Sequence, residues 1–408
     1  MRLTINKKRL SSDLRMLARF GEYQTGVNRP ALSGEDIAAR NWLRNRMEEA
    51  GLEAIIDGVG NVIGRTPGHH KRIILGSHTD TVPFGGWLDG AMGVVYSLEI
   101  ARTYMEAGGN NNIGIEVVSF NDEEGRFYAL LGSHFYCGLL EKSDLTGIHD
   151  TDGISLQESL ENAGFAGREI ATLDPAKHIA YLEAHIEQGP VLENEKRTIG
   201  LVTEIVGIRR SRVKFYGQAD HAGTTPMKLR KDAAAALYNM ATRLEALYRS
   251  EGSPHTVWNL GKARIEPGTL NVVCSFAELF IEYRDPSSET LRKLQNKLDQ
   301  LSAEVADRYR VEKESAEVVT IEPAKMDPML VGRLEAAAKN LKKRHMRLHS
   351  GAGHDAMVLV KRIPAAMLFV PSIGGRSHDI NENTQEYDLF SGAQVLSQTV
   401  SDLVDDHP

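Results

Sequence analysis

Arg72-Ile73-Ile74-Leu75-Gly76 is a short apolar run that ends at a glycine, and the polar stretch Ser77-His78-Thr79-Asp80-Thr81-Val82-Pro83 follows it at once. Such a run reads as a strand ending in a turn. Met92 to Ala107 then carries a helical pattern, and Ile113 to Phe120 is strand again. Strands alternating with helices predict a sheet covered by crossover helices, an α/β layer architecture. Ligands of open α/β sheets bind beyond the strand ends, so the polar clusters that follow these strands are the candidate site.

Further along the chain the pattern changes. Strand Ser211–Gly217, helix Lys231–Ser250, strands within Thr256–Tyr283, helix Ser288–Tyr309 and strand Ala316–Glu322 are predicted, an order that resembles a small ferredoxin-like unit. After Pro323 the chain returns to helix Pro328–Lys343, strand Ala365–Val370 and a last helix, Asp388–Val404. At 408 residues the chain exceeds the roughly 250–300 at which one core stops growing, so two domains are expected. We place a discontinuous domain at 1–207 and 324–408, with 208–323 inserted into it.

The chemistry-bearing residues cluster at the strand ends of the outer domain. His78 and Asp80 leave the first strand, and Asp89 follows in the glycine-rich loop Gly85-Gly86-Trp87-Leu88-Asp89-Gly90. Strand Ile113–Phe120 runs into Asn121-Asp122-Glu123-Glu124-Gly125, where adjacent carboxylates diverge, so that one can bind a cation while the other faces a water. His185 stands in Glu183-Ala184-His185-Ile186-Glu187-Gln188-Gly189, and His378 in Gly374-Gly375-Arg376-Ser377-His378-Asp379. Taken singly, each histidine also fits a structural role and the Glu123-Glu124 pair fits a solvated acidic turn. Together, imidazoles and carboxylates suit zinc or manganese, with Asp80 as the acceptor that orients His78.

With these segments, the chain resembles the metallopeptidase-like amidohydrolase family that includes allantoate amidohydrolase and N-carbamoyl-L-amino-acid hydrolase, over nearly its whole length. The resemblance implies a dinuclear aminopeptidase-like catalytic domain of mixed sheet, with an inserted α+β lid through which two subunits form a homodimer. It also implies two divalent metal ions, zinc or manganese. His78, Asp89 and His185 would hold one, and Asp89, Glu124 and His378 the other, with Glu123 as the base. His221, in Asp220-His221-Ala222-Gly223-Thr224-Thr225-Pro226, matches the lid histidine that stabilises an oxyanion. Its plain alternative is an exposed residue of a capping loop. Gln188, Asn271, Arg284 and Gly353 match substrate-binding positions, Arg284 for a substrate carboxylate.

The pair Arg209-Arg210 resembles the basic pair of allantoate amidohydrolases, where Arg210 would meet a second ureido group, or else lies on a solvated hinge face. The expected activity is hydrolysis of a linear ureido C–N bond, most of all in allantoate, with N-carbamoyl-L-amino acids or a β-ureidopropionase-like substrate as the alternative. A peptidase or a non-catalytic metal-binding protein is further off. Two departures stand out. Arg126-Phe127-Tyr128-Ala129 follows Glu124-Gly125 one residue short, and Asp379-Ile380-Asn381-Glu382 replaces the family's Asn-Pro-Ala-Glu or Ser-Pro-Ala-Glu.

The composition, 41% hydrophobic and 25% charged with a net charge of -7, is that of a globular protein without a polyanion-binding face. The densest basic run, Lys339 to His345, reads as a helix end in solvent. No nucleic acid or membrane partner is expected, only a small anionic substrate. Cys137 and Cys274 have neither metal nor redox spacing, and the basic first ten residues lack an apolar core, so the cytoplasm is the expected location.

Overall fold

The computed structural model describes residues 3–109 and 112–406. The chain forms two compact units, Met1–Thr203 with Lys325–Pro408, and Glu204–Ala324. In the first, four parallel strands lie side by side: Ala365–Val370, His178–Ile186, Lys71–His78 and Ile113–Phe120. Antiparallel strands extend this block on both sides into a nine-stranded mixed sheet. Every residue of Ile113–Phe120 and Ala365–Val370 is buried, because helices cover the block, and most of these residues are apolar. Parallel pairing brings all four carboxyl ends to one edge. His78 pairs with Phe120, and His185 with Phe369, so the segments that follow emerge together.

Several boundaries differ from the sequence expectation. Strand Lys71–His78 continues through Ser77 and His78, because Ser119 and Phe120 of the neighbouring strand Ile113–Phe120 pair with them. Helix Pro328–Asn340 stops before Lys343, where Lys342 takes a left-handed φ of 54° and the chain turns into strand His345–Ser350. The basic run is therefore a helix end, a turn and a strand start.

One buried charge cluster holds the sheet from below. Glu116, inside Ile113–Phe120, accepts hydrogen bonds from Arg65 Nε at 2.8 Å and from the Tyr136 hydroxyl, and lies 3.3 Å from His178 Nε2. Burial alone would raise its pKa, but the His178 contact and the Arg65 charge outweigh this and hold it at about 2. A carboxylate whose folded pKa is depressed contributes stability above its unfolded pKa of ~4.3 and loses it as the pH falls toward the folded value. Glu116→Gln is therefore expected to cost about 3 kcal/mol at pH 7. In urea unfolding, the gap from wild type should close between pH 5 and pH 2. A pH-independent gap would show that the loss is packing alone.

The second unit has strands Gly207–Tyr216, Val257–Glu266, Phe276–Asp285 and Glu312–Ile321, with helices Ala233–Glu251 and Ser288–Tyr309 between them. The sheet order places Val257–Glu266 beside Phe276–Asp285, then Gly207–Tyr216, then Glu312–Ile321, all antiparallel, which is a ferredoxin-like arrangement. Val213, Phe215, Leu279, Ile281 and Tyr283 pack one sheet face against Leu237, Leu244, Leu294 and Leu298 of the two helices. Period-2 alternation then puts Arg210, Arg212, Glu282 and Arg284 on the opposite face. Strand Glu312–Ile321 begins four residues before the expected Ala316. Its exposed, charged first half carries no apolar alternation from which a strand could be read.

Candidate metal centre

His78 is fully buried at its strand end, and its Nδ1 lies 3.0 Å from the main-chain oxygen of Asp80. A carbonyl only accepts, so the neutral ring carries its proton on Nδ1 and presents a lone pair at Nε2. His185 is held in the same way, with Nδ1 2.9 Å from Ile186 O. This is the tautomer of a metal-binding imidazole fixed by an outer hydrogen bond. The orienting group on His78 is thus the backbone of Asp80 and not its carboxylate, as the sequence suggested. The carboxylate stands 3.8 Å from Nδ1, and its Oδ2 accepts the Glu124 N–H at 3.2 Å.

The two histidines converge on Asp89. Its Oδ1 is 3.0 Å from His185 Nε2 and 3.6 Å from His78 Nε2, while its Oδ2 is 3.4 Å from His378 Nε2. Glu124 Oε1 completes the second side, 3.6 Å from His378 Nε2. Gly90 makes the approach possible, since it adopts φ 60° and a Cβ there would stand 2.3 Å from His78 Nε2. Only glycine fits both the left-handed turn and the imidazole behind it.

Among the described residues, three donor groups gather within 4.8 Å: His78, Asp89 and His185; Asp89, Glu124 and His378; and His78, Glu123 and Glu124. The first two share Asp89, one oxygen facing each. Two buried atoms of these sets, His78 Nε2 and Glu124 Oε1, have no hydrogen-bond partner among the described residues. Imidazole nitrogens and carboxylate oxygens in one small volume, with donor atoms left unpaired, fit a divalent cation of the zinc or manganese type. The charge balance agrees. Burial pushes Glu123 well above the usual carboxylate range, with Glu124 and Asp355 adding to it, and burial and Asp89 bring Glu124 up to about 7. Asp89 and the neighbouring carboxylates in turn raise His78, His185 and His378, the last to about 9, so the set holds protons where a divalent cation would take their place.

Glu123 lies beside this set, its Oε2 3.6 Å from His78 Nε2. Its loop is shaped by Asp122, which takes φ 56° and accepts the backbone N–H groups of Arg126, Phe127 and Tyr128 at 2.6, 2.9 and 2.8 Å. Gln188, also at positive φ, donates from Nε2 to Asp89 Oδ2 at 2.9 Å. Gly353 precedes His354, a buried ring that packs 4.5 Å from His185.

The remaining residues singled out from the sequence belong to the second unit. His221 is exposed, and its Nδ1 accepts the N–H groups of Gly223 and Thr224 at 3.0 and 3.2 Å, so its proton sits on Nε2. Ala222 donates to Asn271 O at 3.0 Å, which joins the two loops. Arg209 and Arg210 part company. Arg209 is buried against Ile321 O and Glu322, while half-exposed Arg210 is 2.6 Å from Glu282 Oε2. Arg284 meets the other oxygen of that carboxylate, donating from Nη2 to Oε1 at 2.7 Å. The two arginines assigned to different parts of a substrate are thus bridged by one glutamate, which the sequence reading passed over. It also passed over the role of Glu382, buried beside Asp89. Its position in the motif after His378 was the available signal.

The chain is similar to known proteins over nearly its whole length. The N-carbamoyl-L-amino-acid amidohydrolase of Paenarthrobacter aurescens is 36% identical over 403 residues, covering 97% of this chain and 98% of that protein. The allantoate amidohydrolase of Escherichia coli (strain K12) is 34% identical over 402 residues, covering 97% of each. An amidase of the hydantoinase/carbamoylase family from Burkholderia phymatum, solved by crystallography, matches with a TM-score of 0.93 at 40% identity, covering 100% of both chains. Residues 74–402 match the model of Peptidase family M20/M25/M40, and the chain belongs to that family.

Proposed function

We propose that this chain hydrolyses the linear C–N bond of a ureido group on a small anionic substrate, with allantoate as the first substrate to test. The observation that carries the reading is the Asp89 carboxylate, whose two oxygens face two different histidine sets with Glu123 alongside. His78, Asp89 and His185 would hold one cation, and Asp89, Glu124 and His378 a second. A divalent cation there supplies Lewis acidity, polarising the scissile carbonyl and lowering the pKa of a water toward ~7. Glu123 takes the proton of the attacking water and delivers it to the leaving nitrogen. His221 is suited to donate from Nε2 to the oxygen that gains charge. The carbamate released would decompose to ammonia and carbon dioxide.

For recognition we assign Gln188, Gly353, Asn271, Arg284 and Arg210, the last two as guanidiniums for a carboxylate and a second ureido group. The allantoate preference rests on Arg210, which stays on the open sheet face when Arg209 is buried. N-carbamoyl-L-amino acids are the second reading, favoured by the relative from Paenarthrobacter aurescens. A homodimer through Glu204–Ala324 is part of the proposal, supported by exposed Leu270, Met227 and Leu229 on the loops that carry Asn271 and His221.

The test is ammonia release by chelator-stripped protein on allantoate and a panel of N-carbamoyl-L-amino acids, with manganese or zinc added back. Stripped protein should be silent, and the metal should restore turnover of allantoate. Restored turnover of carbamoyl amino acids alone would overturn the substrate, and silence with both metals would overturn the activity. Sedimentation of the same protein as a monomer would remove the dimer.

A further inference from the structure

Glu382 is buried, 1% exposed, and belongs to none of the donor groups described above. Its Oε1 accepts the backbone N–H groups of Leu88 and Asp89, both at 3.0 Å. Its Oε2 accepts from the Ser377 hydroxyl at 2.9 Å, and the same hydroxyl oxygen is 3.0 Å from Asp89 Oδ2. One carboxylate therefore grips the main chain of the loop that carries Asp89, and also the residue next to His378. The two loops lie 293 residues apart in sequence, so no local geometry sets the distance between them. On the far side, a Cβ at Gly86 would fall 2.0 Å from the Glu382 carboxyl group. The glycine-rich loop is thus shaped around this side chain, and the turn before it is tied down by Thr25 Oγ1, which donates to Ile380 O at 2.6 Å.

We propose that Glu382 is the positioning residue that fixes Asp89 relative to His378, by holding the backbone of one loop and the Ser377 hydroxyl of the other. This rests on the reading of Asp89 and His378 as cation ligands. A donor pair set by such an outer clamp binds its ion in a preformed geometry, and loss of an outer partner typically weakens metal binding by about 10–100-fold.

The experiment is calorimetric titration of chelator-stripped wild type, Glu382→Ala, Glu382→Gln and Ser377→Ala with Mn2+, with thermal unfolding of each metal-free protein. Glu382→Ala should bind Mn2+ about 10–100-fold more weakly, and Ser377→Ala about 10-fold more weakly. Glu382→Gln keeps an oxygen for both backbone N–H groups and should recover most of the affinity. A lower melting temperature with wild-type Mn2+ affinity in Glu382→Ala would make the role structural only and overturn the proposal. If Glu382→Ala does not fold, wild-type affinity in Ser377→Ala overturns it equally. Wild-type protein that binds neither Mn2+ nor Zn2+ would instead overturn the ligand reading beneath it.

Discussion

Glu123→Gln is expected to lower kcat by about 10²–10⁴-fold, the usual worth of a positioned general acid–base, or roughly 3–5 kcal/mol of barrier. The exchange keeps the shape of the side chain and its place 3.6 Å from His78 Nε2, but removes the group that accepts and returns a proton. Metal content decides between two roles. Glu123 also gathers with His78 and Glu124 as a possible donor group, so a ligand role predicts loss of metal together with activity. A proton-transfer role predicts full metal content in an inactive protein, measured by atomic absorption after dialysis. A variant that keeps most of its turnover would remove Glu123 from the mechanism.

Asp89→Asn should have the second large effect. One oxygen becomes an amide nitrogen that cannot accept, yet the two oxygens of Asp89 face different histidines at 3.0 and 3.4 Å. Whichever way the amide turns, one donor group loses its shared member. Metal affinity should fall by more than about 100-fold, beyond the range for loss of an outer partner, and turnover should fall with it. The existing contacts sharpen the contrast. Burial would raise the pKa of Asp89, but His185 and His378 hold the carboxyl well below the usual range, so it remains an acceptor on both sides. Full metal content and activity in Asp89→Asn would show that the two histidine sets do not share an ion-binding carboxylate.

Part of this fold is legible in the amino-acid sequence. The parallel strands Ile113–Phe120 and Ala365–Val370 coincide with their expected ranges, because a strand buried on both faces is mostly apolar and turns bound it, with Glu116 and Ser119 the buried polar residues of the first. Helix Ser288–Tyr309 coincides as well, since its apolar face repeats at helical spacing and Ser287 caps it. Charged strand Glu312–Ile321 was half hidden, being held by backbone pairing to Gly207–Tyr216 and not by an apolar pattern.

Burial patterns and turn residues are local properties of the chain, so the residue types that could carry the chemistry, and their place after strand ends, were readable from the amino-acid order. How those residues act on one another came only from the packed fold. Parallel pairing of four strands brings His78, Glu124, His185 and His378 around Asp89, and no spacing along the chain contains that convergence. It also decided that the backbone of Asp80 orients His78, that Glu382 holds the Asp89 loop, and that Glu282 joins Arg210 to Arg284. Hydrogen bonds of that kind depend on angstrom-scale placement of groups far apart in sequence, and such placement is settled only when the whole core packs.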